Sequence, residues 1–189
     1  MITVKQIERT WNAKQHERLY RDLIAFRPEA TLKIEFESGW AAPAAAMAMI
    51  RMDELCQGHT PLFGKLLRTL IATQQSDGGW GDVTTTALCL RALLCGEGHG
   101  LAVEHGLAFL ANLQKPNGLW PQLPHRRLPE DANASAAVLF YLGGCPAFQS
   151  SVRLEGAIGW FEENESFLDF PARELWSRAS PRCRILQLA

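Results

Sequence analysis

"QQSDGGWGDVTTTALCLRALL", residues 74–94, holds the pattern on which the fold turns. A glutamine pair and an Asp-Gly-Gly-Trp-Gly turn stand in front of an Asp-Val-Thr-Thr-Thr start, and an apolar run follows. The same arrangement returns forty positions later. "QKPNGLWP" begins at Gln114, and after a nine-residue insertion "DANASAAVLFYL" runs from Asp131. Gln74 aligns with Gln114, Asp77 with Asn117, Gly78 with Gly118, Trp80 with Trp120, Asp82 with Asp131, Thr86 with Ser135 and Leu90 with Leu139. A weaker copy, "SGWAAPAAAMAMIRMDEL", precedes them and carries Arg51 where the next unit carries Arg91. A fourth follows as "WFEENESFLDFPARELWSRA". Self-similarity at this period is the mark of stacked supersecondary units.

Each unit reads as helix, turn, helix. In "TPLFGKLLRTLIATQQ", Thr60 is an N-cap and Pro61 the first helical residue, and the apolar side chains at 63, 66, 67, 70 and 71 share one helical face. Asp-Gly-Gly stops that helix. Asp82 or Thr84 caps the next, "TTTALCLRALLC", whose Ala, Cys and Leu content suits burial on most sides, and Gly96 ends it. Further helices are expected near 101–114, 132–142 and 150–163. The only strand-like alternation is "TLKIEFE" at 31–37, short enough for an extended connector. The expectation is therefore an all-α single domain over 1–189, in which hairpins stack and hide their apolar faces against one another.

Composition narrows the functional classes. With 189 residues and 47% hydrophobic content the chain can bury a core, and a net charge of −1 gives no chain-wide field for nucleic acid or anionic lipid. "MITVKQIERTWNAKQHERLY" lacks the apolar core of a signal peptide. The most apolar early run, "AAPAAAMAMI", is ten residues long and holds Pro43, so no transmembrane segment and a cytoplasmic location are expected. Five cysteines, Cys56, Cys89, Cys95, Cys145 and Cys183, form no CxxC pair and read as reduced core residues. His59, His99 and His105 show no metal-ligand spacing, and no cofactor is implied.

"GLAFLANLQKPNGLW" (106–120) and the shorter "QSDGGW" (75–80) resemble the QW motifs of squalene and hopene cyclases, found across the terpenoid cyclases and protein prenyltransferase β subunits. The resemblance covers roughly residues 38–142 and implies an α/α toroid with inner helices around an apolar cavity. It implies a structural use for the glutamine, which satisfies orphan N–H groups at a helix start, and for the indole, which packs over the turn. This chain supplies about four hairpins, a partial or small toroid. Closure then falls to the N-terminal helix "VKQIERTWNAKQHERLYRDLIAF" or to a homodimer or partner subunit.

By the same resemblance, class II cyclases protonate substrate with the central Asp of DxDDTA at the start of an inner helix. Here the matching stretches are Asp82-Val83-Thr84-Thr85-Thr86-Ala87 and Asp131-Ala132-Asn133-Ala134-Ser135-Ala136, and the proton donor is missing, since neither Thr nor Asn releases such a proton. The prenyltransferase zinc site, an Asp-x-Cys, becomes Asp131-Ala132-Asn133 and lacks its thiolate. There is no DDxxD cluster for magnesium, and "EENE" at 162–165 reads as a solvated helix end.

The insertion at 121–130, "PQLPHRRLPE", is where function is most readily grafted on such a scaffold. Arg126 and Arg127 are candidates for holding a carboxylate or phosphate, His125 for proton transfer, and Glu130, Asp131 or Asp82 for acid–base work. Trp80, Trp120, Phe140 and Tyr141 are candidate walls for an apolar, isoprenoid-type ligand. The bland alternative makes the loop an exposed connection and Asp131 an N-cap. Arg173, Glu174, Trp176 and Arg178, then Pro181-Arg182-Cys183, form a second candidate set, in which Glu174 and Arg178 stand one helical turn apart and can pair. Two functions follow: a small terpenoid-cyclase-like enzyme, or a degenerate toroid without catalysis that binds lipid or another subunit.

Overall fold

The computed structural model describes residues 41–96 and 100–184. The chain divides into Met1–Glu35 and Phe36–Ala189, and every described residue lies in the second unit. The expected N-terminal helix at 4–26 and the connector at 31–37 lie outside the described residues.

The fold is all-α, and no strand occurs among the described residues. Among the described residues eight α-helices follow in order: α1 Ala41–Glu54, α2 Pro61–Ala72, α3 Val83–Leu93, α4 Gly100–Leu113, α5 Ala132–Leu142, α6 Pro146–Ser151, α7 Leu154–Asn164 and α8 Phe170–Arg184, with a 3-10 turn at Glu165–Phe167 before α8. Thr60 caps α2, its hydroxyl accepting from the Phe63 N–H at 3.3 Å, and Pro61 opens the helix, as the sequence predicts.

The single helix expected over 150–163 is instead two, α6 and α7. Val152 adopts an extended conformation (φ −129, ψ 164) between them. Gln114 gives the physical reason. Its side-chain Oε1 accepts from the Arg153 N–H at 2.8 Å and its Nε2 donates to the Arg153 carbonyl at 3.2 Å, so these backbone groups turn toward Gln114.

The helices pack in two layers. One row runs α1, α3, α5, α8, each touching the next, while α2 lies against α1 and α3, α4 against α3, and α7 against α8. Alternate helices therefore become lateral neighbours. Asn133 bonds Asp169 at the starts of α5 and α8, and Gly143 lies against Cys183 at their far ends, so this pair is parallel. Position in the row explains composition. The buried side of α3 takes in Val83, Thr86, Ala87, Leu88, Cys89, Leu90, Ala92 and Leu93, because a helix with neighbours on several sides has no polar face to spare. Ala134, Ser135, Ala136 and Ala137 let α5 approach its partners closely in the same way.

Candidate functional site

The two best-matched units share one hydrogen-bond plan. In the first turn, Gln75 N–H donates to the Gly79 carbonyl at 2.9 Å; in the second, Lys115 N–H donates to the Leu119 carbonyl at 2.8 Å. Asp77 Oδ1 accepts from the Gly79 N–H, and Asn117 Oδ1 from the Leu119 N–H. The indole Nε1 groups of Trp80 and Trp120 donate to the carbonyls of Leu70 and Leu110, each at 2.8 Å. Their backbone N–H groups donate to the hydroxyls of Thr86 and Ser135, at 3.0 and 2.9 Å. Those hydroxyls in turn donate to the carbonyls of Asp82 and Asp131. The only two buried polar side chains of the described core, Thr86 and Ser135, are thereby satisfied.

The same turns tie one hairpin to the next. Gln74 Nε2 donates to the carbonyls of Gly78 and, within α4, Ala102, both at 2.9 Å. Gln114 Nε2 donates to Gly118 at 2.8 Å and to Arg153, the residue before α7. Gly78 and Gly118 carry φ of +90 and +87, and a Cβ on Gly118 would lie 2.2 Å from the backbone N of Ala157 in α7. Glycine is required there twice over, by dihedral and by contact.

The candidate acids are woven into this plan. Asp82 caps α3, with Oδ1 2.8 Å from the Thr85 N–H and Oδ2 accepting the Thr85 hydroxyl at 2.7 Å. Asp131 caps α5, with Oδ1 2.7 Å from the Ala134 N–H. Glu130 Oε1 accepts from Asn117 Nδ2 at 3.2 Å.

In the insertion, Arg126 turns back onto the C-terminal end of α4. Its Nε donates to the Asn112 carbonyl at 2.8 Å and one terminal nitrogen to Asn112 Oδ1 at 3.4 Å, while Lys115 donates to the Arg126 carbonyl. A cation there favours the negative end of the helix. These groups border a cleft of about 390 Å³ lined by Asn112, Gln114, Lys115, Pro116 and Arg126. His125 and Arg127 are exposed on the same loop.

The aromatic candidates separate into two pairs. Trp80 and Trp120 are buried inside their own hairpins, and Trp120 packs against Phe148 at 6.0 Å between ring centroids. Phe140 and Tyr141 are half-buried and meet edge to face at 5.2 Å. Asp131 precedes α5 whereas Phe140 lies in its last turn, roughly 13 Å along the axis at 1.5 Å per residue. The structure brings the acids together with the turns, and does not bring them together with these rings.

In the second candidate set, Glu174 and Arg178 form the expected exposed pair at 2.6 Å. Trp176 is buried and stacks on Phe161 at 4.9 Å, and Arg173 donates to the Leu168 carbonyl at 2.9 Å. All five cysteines are free thiols, and no group of three or more His, Cys, Asp or Glu among the described residues is arranged to hold a metal ion. Among the described residues no helix is long and apolar enough to cross a membrane.

Sequence reasoning missed Asp169. Its Oδ1 accepts from the Ala172 N–H at 3.0 Å, making it the cap of α8, and its Oδ2 accepts from Asn133 Nδ2 at 2.8 Å. These two N–H groups hold its carboxyl below the ordinary carboxylate value, the Asn133 bond contributing most. The signal was present in "DFPARELW", an aspartate followed by proline in the first turn of a helix.

Comparison of the chain with protein-family models, with curated proteins and with solved structures gives no match.

Proposed function

We propose that this chain is a non-catalytic scaffold of the α/α-toroid type, one that acts by binding a lipid-like ligand or another subunit. The observation that supports this reading is the equivalence of Asp82 and Asp131. Both carboxylates serve as N-caps through the same bond to the third residue onward, at matching places in two units. A carboxylate used identically in two successive units is a part of the repeat, whereas a general acid is needed once and in a setting of its own. Arg126 and Glu130 likewise engage neighbouring backbone and side chains of the scaffold.

The competing cyclase-like enzyme would turn over an isoprenoid substrate. Incubation with isoprenoid alcohols, diphosphates and epoxides, analysed for products, separates the two. No conversion, together with saturable binding of an isoprenoid alcohol or a concentration-dependent sedimentation coefficient, is the expected result. Turnover that disappears in Asp131→Asn, with its melting temperature near that of the parent, would overturn the proposal.

A further inference from the structure

A second cleft, of about 280 Å³, opens where the starts of α5 and α8 meet the end of α7, and its lining includes Ala132, Asn133, Trp160, Asn164, Phe167 and Asp169. We propose that it is a binding site for an organic ammonium ion, a protonated amine carried on an apolar body.

The polar groups facing it ask for a donor. Two open helix starts would ordinarily favour an anion, but here each is already served by its own carboxylate, Asp131 on the Ala134 N–H and Asp169 on the Ala172 N–H. Asn133 spends an N–H on Asp169 Oδ2, which fixes the amide with Oδ1 turned away from that carboxylate; turning it over would set two acceptors against each other. Its Oδ1 is shielded from solvent with no hydrogen-bond partner, which leaves the exposed Asp169 carboxylate as the acceptor that a ligand in the cleft meets. Asn164 spends its Nδ2 on the Trp160 carbonyl at 2.8 Å and presents its acceptor oxygen.

Charge and shape agree. The segment "FEENESFLDFPA", 161–172, carries four acidic residues and no basic one. Glu162 is paired with Arg184, while Asp169 has no ion-pair partner among the described residues. Arg173, one turn away, directs its guanidinium at the carbonyls of Ser166 and Leu168. The Phe167 ring is 86% exposed and Trp160 half-buried, and both line the cleft with Asp169. A cation over such a ring, with a carboxylate at its side, gains from both.

The test is a titration of the full chain with phenethylammonium, followed by amide chemical shifts, beside 2-phenylethanol and 3-phenylpropionate as neutral and anionic counterparts. Saturable shifts confined to residues around 132–133, 160–164 and 167–170 are expected for the ammonium compound alone. Asp169→Asn keeps a capping side chain and removes the charge, and Phe167→Ala alters an exposed ring, so both should fold. Each should weaken binding by about tenfold or more, with Glu174→Gln as an unaffected control. Equal binding of the neutral alcohol, shifts centred elsewhere, absence of saturable binding, or unchanged affinity in both variants would overturn the assignment.

Discussion

The indole N–H of Trp120 reaches the carbonyl of Leu110, ten residues back in α4, at 2.8 Å, although that carbonyl already accepts the Gln114 N–H of its own helix at 3.1 Å. The bond locks the turn onto the helix it has just left, and the ring fills the space beside Phe148. Trp120→Phe should lose the bond and part of the packing without orphaning Leu110, costing about 2–3 kcal/mol in urea-induced unfolding. Trp80→Phe, which breaks the matching bond to Leu70, should act in the same direction. An unchanged midpoint in both would remove the indoles from the stabilising plan.

Glycines at positive φ separate two costs. Gly81 has φ +91 and open space where a Cβ would go, whereas Gly118 has φ +87 and the α7 backbone at 2.2 Å. Gly81→Ala should cost about 1–2 kcal/mol, the dihedral penalty alone. Gly118→Ala should cost about 3 kcal/mol or more, because α7 must also move. Similar losses for both, measured by denaturant unfolding, would mean that the contact with α7 gives way freely.

Much of this was legible from residue types. Spacing placed α3 to α5 within a residue or two and α2 at its start, though α2 ends at Ala72, ahead of the Asp-Gly-Gly expected to stop it, and pairing Thr86 with Ser135 put the same hydroxyl under each Trp N–H. What the sequence hid was long-range. Nothing local in "QSSVRLEGA" announces a break at Val152, because the break is held by Gln114, 39 residues upstream. Asp131 and Arg126 looked like chemistry by type and position, yet capping and helix-end contacts use the same residue types. The cleft at Asn133 and Asp169 joins residues 36 apart, so only the packing of α5 on α8 reveals it.

Gln114 offers a local readout. Its Oε1 holds the Arg153 N–H at 2.8 Å at the start of α7. Gln114→Ala removes this bond and those to Gly118 and Arg153, which should cost about 1–3 kcal/mol. Amide exchange at Arg153 should accelerate more than exchange in α3. Uniform acceleration throughout would show global destabilisation with no special tie.

Thiol chemistry should follow burial. Burial pushes the Cys89 thiol up to about 12, aided by the charge of Asp82, while Cys183 and Cys95 rise to about 11 for the same first reason. Cys56 is exposed, so it should react first with a thiol reagent at pH 8, Cys89 and Cys183 only on unfolding. The unfolded thiols ionise near 9.0 and the folded ones later, so the folded state holds more protons in between. Stability should therefore fall as pH rises from about 9 toward 12. Labelling of Cys89 at the rate of Cys56, or flat alkaline stability, would contradict this.

Asp169 should titrate as an anchored carboxylate. The Asn133 N–H and then the Ala172 N–H favour its ionised form and lower its value from 3.8. A depressed folded value means that the group's contribution is present above the unfolded value and is lost as pH falls through the folded one. Followed by carboxyl carbon shifts, Asn133→Ala should move the Asp169 midpoint upward by removing the larger cause, while retaining the smaller one from Ala172. Loosening should appear first in the amides at the start of α8, since the carboxyl caps that helix. An unmoved midpoint in Asn133→Ala would show that the amide and carboxylate do not hold each other in solution, and the order of the cleft between α5 and α8 would then need another source.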